Sequence, residues 1–179
     1  MAEPGAPIEP LLSQEDIAGR IDRLAHALAP RLRPDAVAVC LLMGGLWFVA
    51  DLTRALSRLG LPIACDALWL ASYGDGRQSQ GRCEVRAGLQ RPVSGRQVLL
   101  LDDVVDSGVS LLQASELIRA AGASELITAV FARKPWAERL VEPDLWAWDA
   151  PAAFLVGYGM DLAGRFRGLP YVGAVSDAS

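Results

Sequence analysis

The sequence predicts an α/β fold, a mostly parallel central sheet flanked by helices, and three observations carry that reading. Val98–Leu101 is an uninterrupted apolar run that ends on Asp102 and Asp103, passes a small-residue turn and opens a helical pattern over Val109–Ala121. Ala36–Leu42 is a second apolar run; it breaks at Met43-Gly44-Gly45 and continues as a helical pattern over Leu46–Leu59. Ser124–Phe131 is a third. Continuous apolar runs suit strands buried on both faces. In open α/β sheets the ligand site lies beyond the carboxyl ends of the strands, where these acids and glycines fall.

The remaining elements follow in order. Met1–Leu12 holds three prolines and few apolar anchors and reads as a flexible tail. Ser13, with Asp16 three residues on, caps a helix reaching about Ala29, whose Ile17, Ile21, Leu24 and Leu28 recur at helical spacing. His26, the only histidine, lies in that helix and reads as a surface or packing residue. Cys40 falls in the core of the Ala36–Leu42 strand. Pro62–Leu70 is a further strand. Ala71–Arg82 is polar and glycine-rich, and with Ser72 and Tyr73 at its head it suits either a mobile lid or an ordinary hairpin tip. Cys83–Val93 returns as a strand and turn. Lys134 precedes Pro135, so it is extended at a strand end, a position that suits either a solvated loop lysine or an ammonium aimed into a cleft. Trp136, Trp146 and Trp148 are expected to pack the region between Lys134 and Phe154, or an oligomer contact, rather than to stack on a ligand. Phe154–Tyr158 is a short apolar segment, Leu169–Val175 a last strand, and Ser176–Ser179 a tail. With no internal repeat or linker, residues 1–179 form one domain.

Composition excludes several function classes. The chain of 179 residues is long enough for one substantial core, and 52% hydrophobic content argues against disorder of the body. Charges or turn residues interrupt every apolar run, so no membrane span is expected, and the N-terminus lacks the basic region of a signal peptide. Three irregularly spaced cysteines, Cys40, Cys65 and Cys83, favour a reducing cytoplasm over a disulfide framework or a zinc site. A net charge of −4 argues against a general nucleic-acid surface. It still permits polyphosphate binding where Mg²⁺ and helix N-termini supply local positive potential.

The chemistry centres on Asp102–Ser110. A small-residue turn opening a helix presents unpaired N–H groups and the positive end of a dipole. Asp106, Ser107, Gly108, Val109 and Ser110 therefore form a candidate phosphate cradle. Asp102 and Asp103 would repel a phosphate and suit vicinal sugar hydroxyls or hydrated Mg²⁺. Together these describe a ribose 5-phosphate site. Residue types alone leave two rivals open: a surface Asp cluster capping a helix, and an acidic strand end of the Walker-B or receiver kind.

Val98–Leu112 resembles the phosphoribosyl-pyrophosphate (PRPP) signature of type I phosphoribosyltransferases. Three further segments resemble the hypoxanthine-guanine branch, in that family's order: Leu41–Leu52, Ser72–Gly81, and Phe154–Arg167 with Leu169-Pro170-Tyr171. The last contains Val-Gly-Tyr-Gly-Met-Asp, which points to 6-oxopurines. The resemblance implies the type I fold with a small hood region, and PRPP, a 6-oxopurine and Mg²⁺ as the bound species. It implies that Met43, Gly44 and Arg167 face the pyrophosphate, and that a non-proline cis peptide falls at Leu42–Met43. Lys134 would meet the purine 6-oxo oxygen, Phe154 would stack on the ring, and the Leu155 backbone would bond its edge. Asp161 would hold a second Mg²⁺, besides the one suited to Asp102 and Asp103. Ser72 and Tyr73 would head the mobile catalytic loop, and Asp106 would act as general acid/base. One departure stands out: the family carries Lys or Arg where this chain has Met43. A homodimer or homotetramer is expected from the apolar surplus. Two other readings remain at this point: a nucleotide-binding regulator on the same fold with little turnover, and a transferase preferring xanthine or another base.

Overall fold

The computed structural model describes residues 7–72, 83–136 and 138–175. Its main sheet has six strands: β2 (Val37–Leu42), β3 (Ala64–Ser72), β4 (Cys83–Ala87), β5 (Gln97–Val105), β6 (Glu125–Arg133) and β7 (Leu145–Asp149). The spatial order is β4-β3-β2-β5-β6-β7. All neighbours run parallel except β4, which returns antiparallel to β3 at one edge. Helices α1 (Gln14–Leu28), α2 (Leu46–Arg58) and α3 (Val109–Ala120) cover the sheet. A separate three-stranded antiparallel sheet joins β1 (Ile8–Leu12), β9 (Val172–Val175) and β8 (Phe154–Val156), and forms the hood.

The two apolar runs are the central strands β2 and β5, and their alternation divides the core into two layers. Ala38 and Cys40 of β2, with Leu99 and Leu101 of β5, pack in the layer containing α1 and α2. Val37, Val39 and Leu41, with Val98 and Leu100, pack on the opposite face against α3. Successive side chains on a strand point to opposite faces, so an apolar residue is needed at every position. α1 begins with a capping box: the Asp16 amide donates to Ser13 Oγ at 3.1 Å and the Ser13 amide to Asp16 Oδ2 at 3.0 Å. These bonds to Ser13 hold the Asp16 carboxyl below its ordinary range.

Four expectations are corrected. The N-terminal segment is not a tail throughout: Ile8–Leu12 forms β1, antiparallel to β9 with Ile8 opposite Val175. Its one proline, Pro10, is tolerated because β1 is an edge strand, where a missing N–H need break no ladder. The segment Leu145–Asp149 is a fifth parallel strand rather than connecting chain. Asp144 anchors its start, accepting bonds from Thr128 N at 2.7 Å and Thr128 Oγ1 at 2.8 Å. β6 runs two residues past Phe131, which sets Lys134 immediately beyond the strand end. The closing strand starts at Val172 rather than Leu169. Cys40 is buried in the core, His26 is exposed with Nδ1 2.8 Å from the Asp22 carbonyl, and all three cysteines are free. No helix among the described residues is long and apolar enough to cross a membrane.

Candidate active site

The order β3-β2-β5 places a topological switch between β2 and β5, whose crossovers leave in opposite directions. A crevice opens there beyond the carboxyl ends of the strands. It is a cavity of about 590 Å³, walled by the ends of β2, β3, β5 and β6 and by the hood. A small adjoining pocket of about 100 Å³ is lined by Asp102 and the turn Val104–Leu111.

β5 carries the two central acids. Asp103 is buried and Asp102 half-buried. Each carboxylate folds back on the following amide: Asp103 N donates to Asp102 Oδ1 at 2.9 Å, and Val104 N to Asp103 Oδ1 at 2.8 Å. Burial pushes both carboxyls above their ordinary range, and the charge of Asp103 raises Asp102 further. Two buried carboxylates side by side are poised for a partner that brings positive charge or hydroxyl donors. The residues thus fit Mg²⁺ or a sugar diol. Among the described residues no three ligating side chains close into a protein-only metal cage.

Beyond β5 the turn Asp106–Ser110 wraps the small pocket. Gly108, at φ +81°, caps α3, and no side chain competes for the first amides of that helix. Leu140 N donates to the Ser107 carbonyl at 2.9 Å, so the segment after Lys134 braces the turn from outside. The size of the pocket and its free amides suit a monophosphate.

The opposite wall is the loop between β2 and α2. The Leu42–Met43 peptide is cis, at the position the resemblance implied. A side chain at Gly44 would run into the Asp103 carboxylate, and one at Gly159 into the Gly44 carbonyl. The β2 loop, the β5 acids and the hood turn therefore stack backbone on carboxylate on backbone, which only glycine permits. The hood turn is tied down by Arg167, which pairs with Asp161 Oδ1 at 2.6 Å and donates to the Gly159 carbonyl at 2.6 Å. Asp161 Oδ2 also accepts from Gly164 N at 2.6 Å. Tyr158 fastens the same turn to α2 through a 2.8 Å bond to Asp51 Oδ2. Burial, then that bond, pushes the Tyr158 phenol well above its ordinary range.

The third wall faces Asp106. Lys134 Nζ lies 3.3 Å from Asp106 Oδ2, with only 13% of its side chain exposed. Trp136 Nε1 donates to Asp106 Oδ1. Phe154, at 47% exposure, holds an open ring face at the cavity mouth, and Leu155 beside it is buried. Of the residues expected to form the site, the large cavity gathers Met43, Gly44, Asp102, Asp103, Asp106 and Ser110. From the β6 end and the hood it adds Lys134, Phe154, Leu155, Asp161 and Arg167. Ser107, Gly108 and Val109 line the small pocket. Tyr73 lies outside the described residues, and Ser72 is the last residue of β3.

Sequence reasoning missed Trp69, Leu70 and Arg86, which also line the large cavity. Their approach depends on the β3–β4 pairing, for which the sequence carries no local signal. The tryptophans were expected away from the ligand. Trp148 does pack in the core against Phe131, and Trp146 lies under the Arg133 guanidinium at 3.8 Å. Trp136 adds a contact that the sequence reading does not contain, a bond to Asp106.

Comparison with known proteins agrees with this geometry. Residues 9–161 match the phosphoribosyl transferase domain family. The chain is 31% identical to the hypoxanthine-guanine phosphoribosyltransferase of Bacillus subtilis (strain 168), covering 94% of this chain and 93% of the relative. The chain belongs to the hypoxanthine-guanine phosphoribosyltransferase family. The member from Aquifex aeolicus is 32% identical, with 97% of each chain covered. A Trypanosoma cruzi hypoxanthine phosphoribosyltransferase solved with its product IMP superimposes at a TM-score of 0.88 with 26% identity, over 99% of this chain and 98% of that one. A variant of the T. cruzi enzyme in a ternary substrates complex matches at 0.88 and 28%, over 96% of each. The family's α/β fold, a mostly parallel sheet with a small antiparallel hood, is the one described above.

Proposed function

We propose that this protein transfers the phosphoribosyl group of PRPP to hypoxanthine or guanine, forming IMP or GMP and releasing pyrophosphate. The observation that carries the reading is a single cavity at the β2/β5 switch. It joins a monophosphate-sized pocket to a lysine- and phenylalanine-walled base site and to a glycine loop backed by Arg167. Family relatives at about a third identity over nearly the whole chain support the same activity.

The residues then take the following roles. The Asp106–Ser110 amides and hydroxyls bind the 5-phosphate. Asp102 and Asp103 accept from the ribose hydroxyls and hold C1 in line between purine and pyrophosphate, which lowers the entropic cost of alignment. Phe154 stacks on the purine, Leu155 offers backbone bonds to its edge, and Lys134 donates to the 6-oxo oxygen. A 6-amino group presents hydrogens to Lys134, so adenine is rejected. As purine N9 attacks C1, the C1–O bond to pyrophosphate breaks and Asp106 accepts the proton from N7. Arg167 and the Gly44 loop amides stabilise the departing pyrophosphate as preorganised donors. Asp102 and Asp103 would hold one Mg²⁺ and Asp161 a second, and the metal would supply charge neutralisation for that leaving group. Asp106, Lys134 and Asp161 all line one cavity, which supports turnover over a binding-only role. A homodimer or homotetramer is the proposed assembly, supported by Leu46, Leu59 and Trp146, which remain exposed on the single chain.

The test is pyrophosphate release from PRPP and Mg²⁺ with hypoxanthine, guanine, xanthine, adenine and uracil in parallel. Release with hypoxanthine or guanine and not with adenine or uracil is expected. Preference for xanthine alone would reassign the base, and no release with any base would reassign the protein to a binding role.

A further inference from the structure

We infer that Arg86, on a bulge of the edge strand β4, binds the pyrophosphate of PRPP and takes the place of the charge that Met43 lacks. The inference rests on the transferase reading above and extends it to a residue outside the sequence motifs.

The charges on the cavity wall lead to it. Among the described residues the wall carries four acids, Asp102, Asp103, Asp106 and Asp161, and three bases, Arg86, Lys134 and Arg167. Lys134 is paired with Asp106 at 3.3 Å and Arg167 with Asp161 at 2.6 Å. Arg86 is the base of that wall with no bond to a cavity acid. Its partner is Glu84, 3.8 Å away, with both side chains about half exposed (51% and 54%). An ion pair that long and that solvated holds its members weakly. A substrate bearing several phosphate charges meets a wall on which Lys134 and Arg167 each share their charge with an acid, so Arg86 is the least neutralised cation and adds to the donors that Arg167 offers. Met43, 40% exposed on the same wall, adds apolar surface and no charge.

The backbone accounts for why Arg86 reaches the cavity. In the β3–β4 ladder Leu70 opposes Val85 and Trp69 opposes Ala87. Two steps on β4 match one step on β3, so Arg86 is the extra residue of a β-bulge. A bulge re-aims the side chain it carries and is a recurrent device beside active sites. Here it sets the guanidinium over the Trp69 ring, 5.6 Å from its centroid, and Trp69 itself lines the cavity. At that distance the ring attracts the guanidinium as a cation, and the N–H groups of an arginine can bind phosphate oxygens in bidentate fashion.

The test separates pyrophosphate binding from general damage by comparing PRPP with IMP, which has no pyrophosphate. Arg86→Gln is expected to raise the PRPP KM about tenfold, the loss of one charge-assisted contact. Hypoxanthine KM and IMP affinity should stay within about twofold, since neither ligand reaches Arg86. Arg86→Lys should recover part of the loss, and adding Met43→Lys to Arg86→Gln should recover most of it. Equal PRPP KM in wild type and Arg86→Gln would overturn the inference. So would equal weakening of PRPP and IMP, which marks a structural role, or an Arg86→Gln chain that does not fold and an Arg86→Lys chain with wild-type IMP affinity and no PRPP defect. Wild-type protein that neither binds PRPP nor turns over is a different result: it removes the transferase reading and the inference with it.

Discussion

Asp106 and Lys134 stand one residue beyond the paired ends of adjacent parallel strands, and their side chains meet at 3.3 Å. The register makes this so: Val105 opposes Arg133 in the β5–β6 ladder, and the Lys134 amide donates to the Val105 carbonyl at 3.2 Å. The proposed proton acceptor and the proposed 6-oxo reader are thereby one unit, with Trp136 holding the second Asp106 oxygen. Under the proposed function, a base with a 6-oxo group would draw the ammonium toward itself and free Asp106 Oδ2 for the N7 proton.

Asp106→Asn tests the acid/base half of that unit. It keeps the shape of the side chain and the bond from Trp136 but cannot take a proton. We predict a loss in kcat of about 10²- to 10⁴-fold, with the PRPP KM changed by no more than a few-fold. Steady-state kinetics at saturating hypoxanthine decide it; an unchanged kcat removes Asp106 from the chemistry.

Lys134→Gln tests the reader. A glutamine amide can rotate to offer either N–H or C=O, so it no longer discriminates at the 6-position. We predict that kcat/KM for hypoxanthine falls about tenfold or more while the margin over adenine narrows. A uniform fall for both bases would show that Lys134 does not read the 6-position.

Much of this arrangement was legible in the sequence, because the β2 and β5 runs and their turns are local signals. A strand buried on both faces needs consecutive apolar residues, and a close-approach loop needs glycine, so both leave marks in the chain. What was not legible depends on pairing between distant segments. β1 exists only because β9 offers it an edge, and its proline points away from a strand. β7 receives no assignment from the sequence, because only its pairing to β6 makes it a strand. Arg86 enters the site through a one-residue slip in a ladder, and Trp136 through the fold of the segment that braces the phosphate turn.

Met43→Lys should place a cation on the pyrophosphate wall. We predict that the PRPP KM falls about three- to tenfold in the Arg86→Gln background, the gain of one partly exposed charge contact, falls less in the wild-type chain, where Arg86 already supplies charge, and that both gains shrink as salt rises. An equal fall in the two backgrounds, measured at two ionic strengths, would show that Arg86 does not stand in for the charge missing at Met43.

Asp102→Asn sets stability against binding. Burial and the charge of Asp103 raise the native carboxyl above its unfolded value. Between those two values the native state holds more protons than the unfolded chain, so the contribution of this group to stability falls as pH rises. Asparagine removes the buried charge. We predict that the variant, free of ligand and in chelator, gains thermal stability over wild type above the ordinary carboxylate range, with the gain larger at the higher of two such pH values. Its PRPP KM should rise. Calorimetry showing an equal or lower midpoint at the higher pH would mean that Asp102 is not a buried, repelled carboxylate.

Gly159→Ala tests the stacking of hood on loop. The added methyl would meet the Gly44 carbonyl, and the residue sits at φ +102°, outside the range an alanine adopts readily. We predict a loss of about 1–3 kcal/mol in denaturant-induced unfolding, with a raised PRPP KM because Gly44 is displaced. Wild-type stability would show that the hood can move off the loop at no cost.

The most direct test of the central claim is the product itself. The protein is incubated with Mg²⁺, PRPP and hypoxanthine, and the nucleotide formed is identified by mass and by absorbance. The account predicts one IMP for each pyrophosphate released and no AMP when adenine replaces hypoxanthine. PRPP bound by a folded protein with no IMP formed from hypoxanthine and no GMP from guanine would contradict it.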